Sequence, residues 1–271
     1  MTGRTGREPR KILSLSGGKD SAALAIYMKD REPEMEYVFC DTGKELPETY
    51  DFLNKLEAYL GKPILRLNSE FSFDHWLQVY SGFLPSARMR WCTKMLKLKP
   101  FERYCGDDLV HSYVGLRADE DRQGYISSKP NIIPFYPFRK DGIVVSDVFQ
   151  ILETNGLGLP GYYQWRTRSG CYFCFFQRKA EWIGLMDYHP DLFEKAKAYE
   201  KAATASCERY TWSQGESLIE LALRREQVLA DYSKTLARLS ARPSSRPLVE
   251  VFDCAHGPTL IQESPCMICD L

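Results

Sequence analysis

The segment Ser16-Gly17-Gly18-Lys19-Asp20-Ser21 stands between residues 11–15, which read as a short buried strand, and residues 22–29, which have helical composition and no Gly or Pro. Strand, glycine turn and helix in immediate succession constrain the chain more than any other feature. Two adjacent glycines permit a tight turn and let a ligand approach the backbone. The helix that follows turns unpaired N–H groups and the positive end of its dipole toward the same point. Lys19 adds a formal charge. An isolated Gly-Gly is more often a plain turn, but here the flanking elements are those of a phosphate cradle.

The pattern downstream keeps alternating. Tyr37-Val38-Phe39-Cys40 reads as a second strand ending at Asp41-Thr42-Gly43, and residues 47–60 place Phe52, Leu53, Leu56 and Leu60 at helical spacing before Gly61. Residues 64–67 make a third strand, with helices near 73–80 and 96–104. A further strand, 109–114, ends at Gly115-Leu116-Arg117. Past Ser146 the pattern turns helical, over 147–155, 190–203 and 216–239, around an aromatic segment at 162–176. The expected fold class is therefore α/β, a doubly wound, mainly parallel sheet with helices on both faces, plus a helical, cysteine-containing C-terminal extension. The expected domains are a nucleotide-binding domain at 1–145, a helical cysteine-containing region at 146–240, and a linker with a Cys-x-x-Cys tail at 241–271 packing back on the body.

Among the 271 residues, 36 basic side chains balance 36 acidic ones, so a nucleic-acid partner must be met by a local patch rather than by global charge. Arg88, Arg90, Lys94, Lys97, Lys99 and Arg103 form such a stretch. It suits nucleotide phosphates or a DNA or tRNA backbone, or else a solvated helix face. No apolar run approaches the roughly 18–20 residues of a membrane span, and the first residues lack a secretory signal, which gives a cytoplasmic expectation and no membrane partner. In a reducing compartment, nine cysteines are more readily metal ligands or redox groups than disulfides.

Ser16-Gly17-Gly18-Lys19-Asp20-Ser21 lacks Walker spacing and resembles the PP-loop of ATP pyrophosphatases, which holds the pyrophosphate that leaves as a substrate is adenylated. Asp41-Thr42-Gly43 with Pro47-Glu48-Thr49, Cys92-Thr93 with Leu96-Lys97 and Pro100, and Gly115-Leu116-Arg117-Ala118-Asp119-Glu120 extend the resemblance to the phosphoadenosine-phosphosulfate (PAPS) reductase-like branch. True reductases replace part of the loop and carry a Glu-Cys-Gly-Leu-His-like tail. Here the loop is intact and the chain ends Glu263-Ser264-Pro265-Cys266-Met267-Ile268-Cys269-Asp270-Leu271. Arg90-Trp91-Cys92-Thr93 is most similar to the iron-sulfur PP-loop protein of the DNA phosphorothioation (Dnd) system.

The resemblance implies catalytic Lys19, Asp20 and Ser21. It implies nucleotide contacts from Ser14, Ser16, Gly17, Gly18, Asp41, Thr42, Gly43, Lys97, Gly115 and Arg117, with ATP and Mg²⁺ as cofactors. Asp41 is equally a turn former, and Asp119 and Glu120 either metal-binding carboxylates or surface ion pairs. The thiol set Cys92, Cys171, Cys174, Cys266 and Cys269 suits a 4Fe-4S cluster. Zinc is the alternative, on Cys254 and His256 with Cys266 and Cys269, and so is a site joining Cys171 and Cys174 to the tail pair. Buried packing among Tyr172, Phe173, Phe175 and Phe176 is the bland reading of the first pair, and packing is the default for Cys40, Cys105 and Cys207. The function expected is an ATP-dependent sulfur-transfer enzyme acting on a nucleotide or nucleic acid, with a cysteine desulfurase as sulfur donor and the oligomeric state open. The alternatives are a PAPS or adenylylsulfate reductase and a non-catalytic nucleotide-binding subunit of a modification or defence complex.

Overall fold

The computed structural model describes residues 8–122, 124, 127, 129–201 and 210–240. They divide into two compact units, one ending at Cys174 and one beginning at Phe175.

In the first unit β1 Arg10–Leu15, β2 Glu36–Asp41, β3 Ile64–Asn68, β4 Val110–Tyr113 and β5 Ile132–Phe135 form a sheet of order β3-β2-β1-β4-β5. Every pairing in it is parallel. The helices are α1 Lys19–Met28, α2 Pro47–Leu60, α3 Phe73–Val79, α4 Trp91–Thr93, α5 Lys99–Cys105, α6 Pro137–Lys140 and α7 Val145–Thr154. The pleat sends alternate strand residues to opposite faces. Leu13, Leu15, Tyr37 and Phe39 thus meet Leu24 of α1, Phe52 and Leu56 of α2 and Val148 of α7. Ile12, Val38, Cys40, Val110 and Ile132 meet Phe101 and Cys105 of α5 on the other side. Each such burial is worth roughly 1.5–3 kcal/mol. The expected α/β sheet with helices on both faces is present.

Two details differ from the expectation. β5 has no counterpart in the sequence reading, because Ile132-Ile133-Pro134-Phe135 is short and contains a proline. It is an edge strand, where a missing N–H costs no ladder bond. The helix expected at 96–104 begins at α4 and passes through a π turn, Lys94–Leu98, before α5. There the N–H of Lys99 reaches back to the carbonyl of Lys94, and Pro100 has no N–H to give.

The second unit comprises α8 Lys179–Tyr188, α9 Pro190–Tyr199, α10 Leu218–Leu223 and α11 Arg225–Ser240. Trp182 packs on Trp212, whose indole N–H donates to the carbonyl of Ala196 at 2.8 Å. The single helix expected at 216–239 is two, divided at Arg224, whose side chain pairs with Glu216. The tail with Cys254, His256, Cys266 and Cys269 lies outside the described residues. Among the described residues no helix is long and apolar enough to cross a membrane.

β1 has β2 on one side and β4 on the other, so the strand order reverses between β1 and β4. Open α/β sheets bind ligands in the crevice at the carboxyl ends of such strands. The loop after β1 carries Ser16 to Gly18, and the loop after β4 carries Gly115 to Arg117.

Candidate nucleotide and cysteine site

The phosphate loop is built by glycine geometry and serine hydroxyls. Gly17 takes φ +71°, and a Cβ there would lie 2.4 Å from Cγ2 of Thr49, so both backbone and space require glycine. The Ser16 N–H donates to Oγ of Ser21 at 3.1 Å, and the Ser21 hydroxyl donates to the Gly18 carbonyl at 3.2 Å. Ser14, at the end of β1, is buried with an Oγ lacking a partner among the described residues. Gly115 lets the loop after β4 close on α1, since a Cβ there would sit 3.0 Å from the carbonyl carbon and oxygen of Asp20.

Charges gather at the amino end of α1. Asp20 receives Lys19 Nζ at 2.7 Å on one oxygen and Arg117 Nη1 at 2.6 Å on the other. Arg117 also reaches Asp119 at 2.9 Å, so Asp119 and Glu120 are partners of that arginine. Burial works against the Lys19 charge, but Tyr163 and Asp20 outweigh it and hold the ammonium above its usual pKa. Two cations and the first amides of a helix thus face one crevice, a set suited to polyphosphate.

The Asp41-Thr42-Gly43 loop holds itself and the cysteine turn. Asp41 Oδ1 accepts from the Gly43 N–H and the Tyr50 hydroxyl, both at 2.8 Å, the turn-forming role. The Thr42 hydroxyl donates to Oε1 of Glu45 at 2.9 Å and lies 3.2 Å from Sγ of Cys171. The Cys171 thiol also reaches Oε1 of Glu45 at 3.6 Å. Burial raises the Glu45 pKa. Burial, then Glu45, pushes the Cys171 thiol well above its usual range, while Lys97 pulls it down. Cys40 gives its S–H to the Lys97 carbonyl, and burial pushes its thiol up to about 11, in keeping with packing.

Cys171 and Cys174 share one turn, the Cys174 N–H donating to the Cys171 carbonyl at 3.0 Å, and Cys92 on α4 is near enough to bear on the Cys171 charge. Among the described residues no three His, Cys, Asp or Glu side chains converge on one ion. A cluster is wider than one ion and takes thiolates. Cys92, Cys171 and Cys174 offer thiols, the donor kind that such a cluster takes. The basic stretch runs from Arg88 and Arg90, just before α4, through Lys94 and Lys97 to Lys99 and Arg103 of α5, with Arg88, Lys94, Lys99 and Arg103 exposed.

Sequence reading offers the segment that joins these parts as bases among aromatics, Trp165, Arg166, Arg168, Tyr172 and Phe173, suited to nucleobase stacking or to packing around the cysteines, and gives Tyr162, Tyr163 and Ser169 no role. The 3-10 turn Gly161–Gln164 brings the Tyr162 hydroxyl to the Gly17 carbonyl at 2.7 Å and the Tyr163 hydroxyl to the Lys19 N–H at 3.2 Å. Arg166 is buried at 1% exposure and donates to the carbonyls of Gly170 and Cys171, both at 3.0 Å. The Ser169 hydroxyl lies 3.4 Å from that of Ser16. Spacing offers no signal for these, though a charged residue within an aromatic stretch was visible.

Residues 10–130 match the phosphoadenosine phosphosulfate reductase domain family. An uncharacterized protein of Methanocaldococcus jannaschii, MJ0066, is 27% identical over 218 residues, covering 75% of this chain and 43% of that protein. The tRNA-specific 2-thiouridylase MnmA of Buchnera aphidicola is 25% identical over 127 residues, 40% of this chain and 33% of its own length. The PAPS reductase of Candida auris, solved with phosphate, superposes with a TM-score of 0.47 at 16% identity, covering 58% of this chain and 78% of that one. The chain spans less than half the length of these curated relatives. Residues 10–130 are thus similar to a PAPS reductase domain.

Proposed function

We propose, from the premise that residues 10–130 form a PAPS reductase-like domain, that this chain is an ATP-dependent sulfur-transfer enzyme acting on a nucleotide or nucleic acid. A substrate oxygen attacks the α-phosphate of ATP and pyrophosphate leaves. A sulfur nucleophile then displaces AMP from the adenylated carbon, so that carbon–sulfur replaces carbon–oxygen. The observation that carries the reading is the reach of the cysteine turn to an intact phosphate loop, Ser169 to Ser16 at 3.4 Å.

The residues have separable roles in this reading. The loop amides and Lys19 stabilise the charge that develops on leaving pyrophosphate. Arg117 binds the phosphates, and Asp20 and Ser21 orient the neighbouring groups or the Mg²⁺ that accompanies the phosphates. Cys92, Cys171 and Cys174 would hold a 4Fe-4S cluster, which when bound supplies an iron able to carry sulfide. The basic stretch around Cys92 would take the phosphates of an RNA acceptor, in line with the tRNA-thiolating name of MnmA. A cysteine desulfurase is the matching sulfur source.

Incubating the protein with ATP, sulfide and tRNA tests this, with AMP and pyrophosphate quantified. The expected outcome is AMP formation that depends on Lys19 and falls about 100-fold or more in Lys19→Ala. The reductase reading is favoured by the matching family's name, and it predicts tighter binding of PAPS than ATP with no pyrophosphate release. That result would overturn the proposal.

A further inference from the structure

Arg166 is a buried charge that the adenylation chemistry does not use. Its side chain has 1% exposure, and its planar guanidinium holds two successive carbonyls, Gly170 through Nη1 and Cys171 through Nη2, each at 3.0 Å. A fork of that shape fixes the direction of the peptide it grips, whereas an ammonium would act as a point charge. Gly170 takes φ +134°, a conformation open to glycine and strained for other residues, so the turn carrying Cys171 requires glycine at this position.

The other end of this hold is the phosphate loop. The backbone N–H of Arg166 donates to the Tyr162 carbonyl at 2.9 Å, and the Tyr162 hydroxyl donates to the Gly17 carbonyl at 2.7 Å. The neighbouring Tyr163 hydroxyl accepts the Lys19 N–H at 3.2 Å. That amide opens α1, where a phosphate oxygen would bind. A phosphate there competes with Tyr163 for it, and moving Tyr163 moves the turn that carries Tyr162 and positions Arg166. Ser169, against Ser16, lies on the same path.

We infer that Arg166 is a positioning residue that couples occupancy of the phosphate loop to the geometry of the Gly170-Cys171 peptide, so that nucleotide binding and the state of Cys171 influence each other. The inference rests on the adenylation reading for its ligand, ATP, and not for the coupling itself. Coupling of this kind is reciprocal. ATP binding that changes the surroundings of Cys171 therefore goes with a change in ATP affinity when Cys171 is modified, though an alkylation rate does not fix its size.

The full chain is treated with iodoacetamide, with alkylation of each cysteine followed by peptide mass spectrometry in the absence of ligand, with ATP, and with inorganic pyrophosphate. Hydrogen exchange over residues 170–174 is read in parallel. ATP should change the Cys171 alkylation rate about 5-fold or more, and prior alkylation should change ATP affinity measurably. In Arg166→Lys, which keeps the charge and loses the fork, ATP should still bind while the effect on Cys171 falls to near unity. Tyr162→Phe removes one hydroxyl, keeps the ring, and should do the same if the lysine variant does not fold. An ATP effect of full size in both variants overturns the inference, as does ATP binding to the native protein without any effect on Cys171. An effect of pyrophosphate without ATP binding leaves the coupling standing and overturns the adenylation reading. Failure of both ligands to bind overturns both.

Discussion

Gly17 shows how much a single position in the phosphate loop decides. A side chain there meets a left-handed backbone, at a cost of roughly 1–2 kcal/mol, and a methyl group of Thr49 as well. Gly17→Ala should lower the melting temperature by about 4 °C or more and weaken ATP binding beyond what that loss explains. Calorimetric unfolding with an ATP titration checks this, and an unchanged titration would refute the assigned loop geometry. The loop was legible in the sequence because its residues are contiguous and its chemistry is local. Glu45 and Arg166 were not. Their meaning comes from Cys171, far from Glu45 in sequence, and from a carbonyl pair that no side-chain pattern encodes.

At the scale of elements, the strand-loop-helix of β1 and α1 and the helix α2, with Pro47 at its start and Gly61 in the left-handed region at its end, follow from local signals. β5 and the π turn do not, since both depend on neighbours that excuse a proline. The break between α10 and α11 belongs here too. Ser217 and Glu220 cap α10 reciprocally, and Glu216 just before them binds Arg224 and, at 2.8 Å, Lys179 of α8. The Arg224 hydrogen bond, aided by Lys179 and opposed by burial, lowers the Glu216 pKa from 4.5 to about 2. The folded form therefore gains stability above the unfolded value and loses it as pH falls from about 4.5 toward 2. Solvent around both cations screens the gain to about 1 kcal/mol. Glu216→Gln should be less stable than the native protein at pH 7 by that amount, with the gap closing across this window in denaturant titrations. A gap independent of pH would show that the ion pairs do not set it.

For the molecule as a whole, the cysteines decide whether a nucleotide site becomes a sulfur site. Anaerobically prepared protein should contain about four iron atoms with acid-labile sulfide, and Cys171→Ser or Cys92→Ser should lose most of both. Stoichiometric zinc in place of iron, measured by elemental analysis, would overturn the cluster assignment. Alternating strands and helices by themselves determined a parallel sheet covered on both faces, and a contiguous glycine-serine motif marked the candidate phosphate loop, because both depend on neighbours in the chain. Tertiary structure alone decided that the loops after β1 and β4 flank one crevice, that Asp20 binds Lys19 and Arg117 together, and that Tyr162, Arg166 and Ser169 connect that crevice to Cys171. The physical reason is that buried hydrogen bonds and charges find their partners through the packing of the fold, and that packing brings together residues whose separation along the chain carries no trace of it.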